Sequence, residues 1–425
     1  MSTARESALR GVALAGVVAA LAAGLLLASG RAGEPGISDT PVYQRYGERI
    51  AAGGVPYRDF RVEYPPGALP AFAIPALATS TPSGYDAVFA GLMVACLATL
   101  AALVVVSLRF LVASPLRLGG ALTSLVAGAM LLGPFTLTRF DLLPAAITAG
   151  AVAAVLAGRG RLGGAALGAA IATKLYPAVL LPLLVARAWR RHGRAEALRV
   201  LGIALGVVAL AYVPFVLLSP AGSARSVWQQ AGRPLQIESL GSAVLLAFHH
   251  AFAMPLDWAS GHGSQNLTGT VAAVASTVTT IAGAAALAWI WAAFARGEVG
   301  DERFVRFAAA AVVAFVAFGK VLSPQFLVWL LPLVPLVAGI RGMVASALLV
   351  PACALTRLWF PGDYWALVKQ FDEQSSWLVL ARDLVLVVLF FLLVSPGGSG
   401  SSESSTATAR APARSPSRAP SPGRT

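Results

Sequence analysis

Cysteine, lysine and charge are scarce in this chain. Its 425 residues hold two cysteines, Cys96 and Cys353, far apart and each inside an apolar run, so neither a disulfide framework nor a metal site is indicated. The only lysines are Lys174, Lys320 and Lys369, and His249, His250 and His262 lack a metal-ligand spacing. Charged residues make up 12% of the composition against 57% hydrophobic ones, and no stretch between the apolar runs is long enough for an ordinary soluble domain. The net charge of +13 is carried almost entirely by arginines that flank apolar runs. Basic charge so placed reads as membrane topology and argues against nucleic acid as a partner.

What is present is apolar sequence in runs of about 20 residues, the length that crosses a bilayer as an α-helix. Mean hydropathy is +0.74. The first run, residues 8–29, exceeds a signal-peptide core and reads as a retained span, with Arg5 and Arg10 cytoplasmic. Further spans fall near residues 85–108, 119–135, 142–157, 200–218, 267–293, 304–320, 325–340, 343–356 and 377–394. Residues 67–79 are apolar but short and broken by proline, which suits the outer interface. Residues 219–266 form a long external region with a short amphipathic piece around Leu245 to Met254.

Residues 163–186 are the exception to simple alternation. Arg159 and Arg161 precede them and the basic loop RAWRRHGR, residues 187–194, follows, so a single crossing violates the positive-inside rule. A segment that enters and turns back at Lys174-Leu175-Tyr176-Pro177 keeps both flanks inside, with the turn buried in protein or lining a cavity. The resulting expectation is an all-α polytopic integral membrane protein with ten full spans and one re-entrant pair, about twelve membrane helices. Residues 1–395 make one transmembrane domain; 396–425, rich in Ser, Pro, Ala and Arg, are expected to be a disordered cytoplasmic tail.

Against this background DTPVYQRYGERIAAGGVPYRDFRVEYPPG, residues 39–67, is out of place, because it packs acids, arginines and tyrosines into one external loop. Asp39 sits about ten residues past the first span, at headgroup level. It reads either as a general base toward an acceptor hydroxyl, worth about 10² to 10⁴ in rate, or as the cap of a helix opened by Pro41. Tyr43, Tyr57, Arg58, Asp59, Glu63 and Tyr64 are substrate-binding candidates from the same loop. For Tyr57 and Tyr64 the rival reading is an aromatic belt, and for Asp59 and Glu63 it is pairing with Arg58 and Arg61.

Four further places concentrate polar groups where the cost of burying them suggests function. Arg139 and Asp141 share an outer turn, as a local pair or as an anion contact. Lys174 and Tyr176 lie at the re-entrant turn, about 16 Å up a helix and so near the middle of a roughly 30 Å core. Lys174 reads as a phosphate contact or as a structural partner of Asp141. Lys320 and Gln325 flank a Ser-Pro-Gln turn whose following helix would present free N–H groups to an anion; snorkelling is the rival reading for Lys320. Glu238, in QIESLGS, is an external acid suited to orienting a sugar or capping a helix.

Five motifs in order, the 39–66 loop, RFDLLPA, GRGR with ATKLYP, PLQIESL and KVLSPQFLVWLLP, resemble glycosyltransferase family 87 over roughly residues 8–395. These are GT-C-type membrane mannosyltransferases. The resemblance implies an active site on the outer face and inverting transfer of a sugar, usually mannose, from a polyprenyl monophosphate donor to a glycolipid or glycan acceptor at the plasma membrane. It places the catalytic acid at Asp39 and makes Lys174 and Lys320 donor-phosphate candidates. The residues call for no cofactor, and a metal requirement stays open, since the cluster of carboxylates expected for one is not obvious in the sequence. Two other classes fit many spans: a secondary transporter of a polar solute, expected to have pseudo-symmetric halves and a midplane site, and a non-catalytic assembly partner.

Overall fold

The structure, a computed structural model, describes residues 3–31, 33 and 36–395. The tail from residue 396 onward lies outside them. The described chain is helical apart from one hairpin, with α1 Thr3–Ala28, α2 Thr40–Ala51, α3 Leu69–Ala78, α4 Pro82–Phe110, α5 Pro115–Leu132, α6 Leu142–Leu156, α7 Gly160–Thr173 and α8 Leu181–His192. There follow α9 Arg194–Leu218, α10 Pro220–Ala231, α11 Leu240–Phe252, β1 Asp257–Gly261, β2 Ser264–Thr268, α12 Thr270–Arg296, α13 Asp301–Ala317, α14 Gly339–Trp359, α15 Tyr364–Gln370 and α16 Glu373–Val394. Helices α4, α5 and α10 open on Ser/Thr-Pro, where Thr81, Ser114 and Ser219 accept N–H bonds from the first turn and the proline supplies φ without a wasted donor.

Among the described residues seven helices are long and apolar enough to cross a bilayer: α1, α4, α5, α9, α12, α14 and α16. The protein is membrane-embedded and all-α in class. Helices α6 and α13 are shorter and lie almost wholly inside the bundle. Ion pairs sort the helix ends. Arg117 at the start of α5 binds Glu302 at the start of α13 (2.8 Å), Arg187 and Arg191 at the end of α8 bind Asp301, and Arg190 donates to the Ala295 carbonyl near the end of α12 (3.3 Å). This basic end is opposite the end that carries α2, α3, α10, α11 and the hairpin.

The chain at 160–192 turns back. Gly164 and Gly168 of α7 press on Val200 and Ala204 of α9, so the two helices run parallel, whereas α8 feeds into α9 through Gly193 and must run against it. Arg161 and Glu196 then meet at 2.9 Å, which returns both basic flanks to one end. The break falls at Lys174, whose backbone is extended, followed by a 3₁₀ turn over Tyr176–Leu180.

Two expectations need correction. The span expected at 325–340 is not an α-helix: Pro324–Trp329 and Val334–Leu336 form 3₁₀ turns, because Pro324, Pro332 and Pro335 interrupt any helical ladder. The segment still runs from Ser323, bonded to Gln236, to Leu336, whose carbonyl accepts from Arg117 at 2.6 Å. Thirteen residues at about 2 Å each cover roughly 26 Å, and nearly all are buried in protein, the only setting where such backbone is tolerated at that depth. The second correction is the hairpin β1–β2 in the external region, turning through His262 (φ 55°) and Gly263 (φ 68°). It braces residues 235–237, since Ile237 N–H donates to the Gln265 carbonyl (3.0 Å) and Leu267 N–H to that of Leu235 (2.9 Å).

Candidate active site

At the end opposite the basic one, a cavity of about 670 Å³ opens among the loops. Its size is that of a small-ligand pocket. Asp39, Tyr43, Glu63, Tyr64, Arg139, Asp141, Lys174, Tyr176, Glu238, Lys320 and Gln325 all line it, brought together from sequence separations of up to nearly 300 residues. Thr280, Gly283, Ala284 and Leu287 of α12, with Phe315 of α13 and the adjacent Phe318, supply a largely apolar wall.

Asp39 occupies the N-cap position of α2, yet its side chain makes no capping bond. It turns instead to Arg139, which pairs with Oδ2, and the Tyr43 hydroxyl donates to the same oxygen at 3.3 Å. Among the described residues both contacts fall on Oδ2, and Asp39 lines the cavity. The aromatic residues of the loop hold this geometry. Tyr43 stacks on Phe72 of α3 at 4.5 Å and meets Phe140 edge-on at 5.7 Å, while Tyr64 meets Phe140 at 5.1 Å. The expected membrane-interface belt is therefore an internal aromatic cluster that fixes α2 against the bundle.

The local Arg139–Asp141 pair does not form. The two side chains take different partners: Arg139 reaches Asp39, and Asp141, 1% exposed, accepts from Lys174 Nζ at 2.6 Å and from Trp329 Nε1 at 2.8 Å. Phe140, Phe326 and Trp329 surround the Lys174 ammonium at 4.6, 5.6 and 5.2 Å from their ring centres. The deep lysine is thus neutralised by a carboxylate and by π faces. Tyr176 stacks on Trp329 at 4.1 Å and donates to Thr148 Oγ1 at 3.2 Å.

Glu238 is 2% exposed and accepts a bond from the Gln236 amide, while the Arg382 guanidinium donates to its backbone carbonyl at 2.7 Å. Burial pushes its carboxyl up to about 7, with Arg382 and Arg139 opposing the shift. Arg139 is lowered to about 10, again chiefly by burial. Lys320 donates to the Ala231 carbonyl at 3.1 Å, and the Ser323-Pro324 turn after it opens a six-residue 3₁₀ turn, so the expected helix N-terminus for an anion is missing. Residues matching positions 63–324 of this arrangement carry the profile of glycosyltransferase family 87.

The chain belongs to glycosyltransferase family 87. It is a membrane glycosyltransferase, which removes the transporter and assembly-partner readings. No individual curated protein matches it.

In this family 87 enzyme three loop residues stand away from the cavity wall. Tyr57 is buried with φ 67°, donates to the Tyr64 carbonyl at 2.6 Å and meets Phe215 of α9. Arg58 and Asp59 form an exposed pair at 2.8 Å, and that guanidinium holds the Asp59 carboxyl down at about 2. Glu63, by contrast, lines the cavity, with its carbonyl accepting from Gln230 at 2.8 Å.

Arg233, Gln236, Trp329 and Tyr364 also line the cavity and were not singled out from the sequence. The signal for the first two was the RPLQIES stretch read for Glu238 alone; Trp329 lay inside a run taken for an ordinary span. Gln236 knits the floor, since its N–H donates to the Lys320 carbonyl at 2.9 Å and its amide to Ser323 Oγ at 2.9 Å. The Arg233 Nε is buried without a partner, and no ion pair of Arg233 occurs among the described residues. Among the described residues no group of three His, Cys, Asp or Glu is placed to hold a metal.

Proposed function

We propose that this enzyme is an inverting mannosyltransferase that uses a polyprenyl monophosphate donor and a glycolipid or cell-envelope glycan acceptor on the outer face of the plasma membrane. One observation carries the reading: a single cavity joins a directed carboxylate, Asp39, to cationic groups and to an apolar wall on α12 and α13. A lipid-linked sugar phosphate needs all three, a base for the acceptor, positive charge for the phosphate and apolar surface for the carrier chain.

In the proposed step Asp39 Oδ1 takes the proton of an acceptor hydroxyl as its oxygen bonds to the anomeric carbon. The bond from that carbon to phosphate oxygen breaks on the opposite side, and polyprenyl phosphate leaves with the electron pair. Arg139 aims the carboxylate through Oδ2. Arg233, whose buried Nε lacks a partner, and Lys320, on the same wall, stabilise the negative charge on the departing phosphate. Lys174 is a poorer phosphate contact, because Asp141 already holds it. Glu63 and Glu238 orient sugar hydroxyls, and both termini lie in the cytoplasm.

Membranes carrying Asp39→Asn and supplied with labelled polyprenyl-phosphate-mannose test this. The expected result is transfer reduced by about 10² to 10⁴ with folding retained. Undiminished transfer by the Asn variant removes Asp39 from the mechanism.

A further inference from the structure

A second pocket, of about 260 Å³, lies at the basic end, between the start of α1, the end of α4 and the start of α5. Arg5, Arg10 and Arg109 line it against one acid, Glu6, with Leu108 and Leu118 closing its floor. Glu6 is engaged by Arg10 at 2.6 Å. Among the described residues Arg5 and Arg109 have no ion-pair partner. The pocket therefore carries two uncompensated guanidinium groups in a concavity large enough for a phosphodiester, far from the sugar-transfer cavity.

The rim decides what kind of anion suits it. Phe110, Val112 and Leu116 stand beside the arginines with 47%, 68% and 87% of their surface exposed. Val112 holds φ 50° in the turn that joins α4 to α5, and the turn is fixed by the Ala113 N–H bond to the Leu108 carbonyl at 3.0 Å. Apolar side chains displayed next to a basic pocket match an amphiphile whose phosphate enters the pocket and whose acyl chains lie along the rim. A soluble anion has no use for that rim.

We infer that this pocket binds the phosphodiester headgroup of an anionic phospholipid from the leaflet beside the start of α1. Arginine suits such a ligand because its planar fork matches phosphate oxygens, and basic pockets between membrane helices recognise headgroups in this way. The inference is independent of the sugar-transfer reading.

The test uses the full-length protein, delipidated in detergent, with lipid retention read by native mass spectrometry. Phosphatidylglycerol and phosphatidylcholine of equal chain length are titrated into wild type and into the Arg5→Gln/Arg10→Gln/Arg109→Gln variant. A control, Arg159→Gln/Arg190→Gln/Arg194→Gln, removes equal charge elsewhere at the same end. The expected result is phosphatidylglycerol affinity lowered on the order of tenfold by the pocket variant, with little change in the control and none for phosphatidylcholine. The corresponding triple Lys variant, which keeps the charge but not the planar fork, is expected to bind phosphatidylglycerol more tightly than the Gln variant and less tightly than wild type, separating lost charge from lost fold. Equal loss in pocket variant and control overturns the site, as does unchanged binding. Displacement of the lipid by millimolar inorganic phosphate alone overturns the assignment to a phospholipid.

Discussion

Lys174 and Asp141 form the most consequential ion pair in the cavity, and separating their structural from their substrate-binding role is a matter of a double-mutant cycle. Lys174→Met leaves the Asp141 carboxylate, 1% exposed, with the Trp329 indole N–H as its remaining bond. Breaking a buried pair by removing one partner costs about 3 to 5 kcal/mol. The indole bond survives, so the lower end, about 3 kcal/mol, is expected. In Lys174→Met/Asp141→Asn the Asn oxygen still accepts from Trp329, and the Met thioether occupies the box of Phe140, Phe326 and Trp329 with favourable sulfur–aromatic contacts. The double variant should then lose only about 1 kcal/mol, about 2 kcal/mol less than Lys174→Met alone, a non-additivity that shows the two residues act as a pair. Cys96 and Cys353 are buried, so a thiol-reactive fluorogenic dye reports unfolding in detergent directly. Recovered stability with recovered transfer assigns the pair a structural role. Recovered stability without transfer restores Lys174 as a donor-phosphate contact. Equal stability of both single variants and wild type would refute the pairing itself.

Three further outcomes are expected. Glu238 has its carboxyl raised from 4.5 to about 7, so the folded state binds a proton that the unfolded state releases, and its unfavourable contribution grows as pH rises from about 4.5 to 7. Thermal unfolding of wild type should therefore fall behind that of Glu238→Gln over this window, by up to roughly 3 kcal/mol, and parallel pH profiles would contradict it. Gly168→Ala places a Cβ 2.4 Å from the Ala204 carbonyl oxygen, and the separation of α7 from α9 should cost about 1 to 3 kcal/mol in the same dye assay; a neutral result would mean the helices pack less closely. Single cysteines introduced at exposed Arg159 and His192 should react with an impermeant maleimide from one side of the membrane, and one at Ala51 from the other. Labelling of Arg159→Cys and His192→Cys from opposite sides would dismiss the re-entrant turn.

How much was legible in the sequence follows from range. Spans and their order are local: an apolar run must be helical in lipid, and arginines mark its ends, so α1, α4, α9, α12 and α16 appear where hydropathy puts them. The re-entrant pair was legible for the same reason, because a charge rule applies to each flank separately. The 324–336 segment was misread because hydropathy is blind to backbone form. Its prolines forbid an α-helix, and only the surrounding bundle makes 3₁₀ turns tolerable there.

The site divides along the same line. The sequence by itself determined that polar residues would gather at one end of a helical membrane protein, since each cluster was deposited there by the span before it. Which side chain faces which was decided by tertiary structure alone. Asp39 meets Arg139 across 100 positions and Asp141 meets Lys174 across 33, while Arg139 and Asp141, two positions apart, each pair elsewhere. Buried charge must find an opposite charge or a hydrogen bond wherever packing offers one, and that choice is made by the helices' arrangement in space, which no local stretch of sequence encodes.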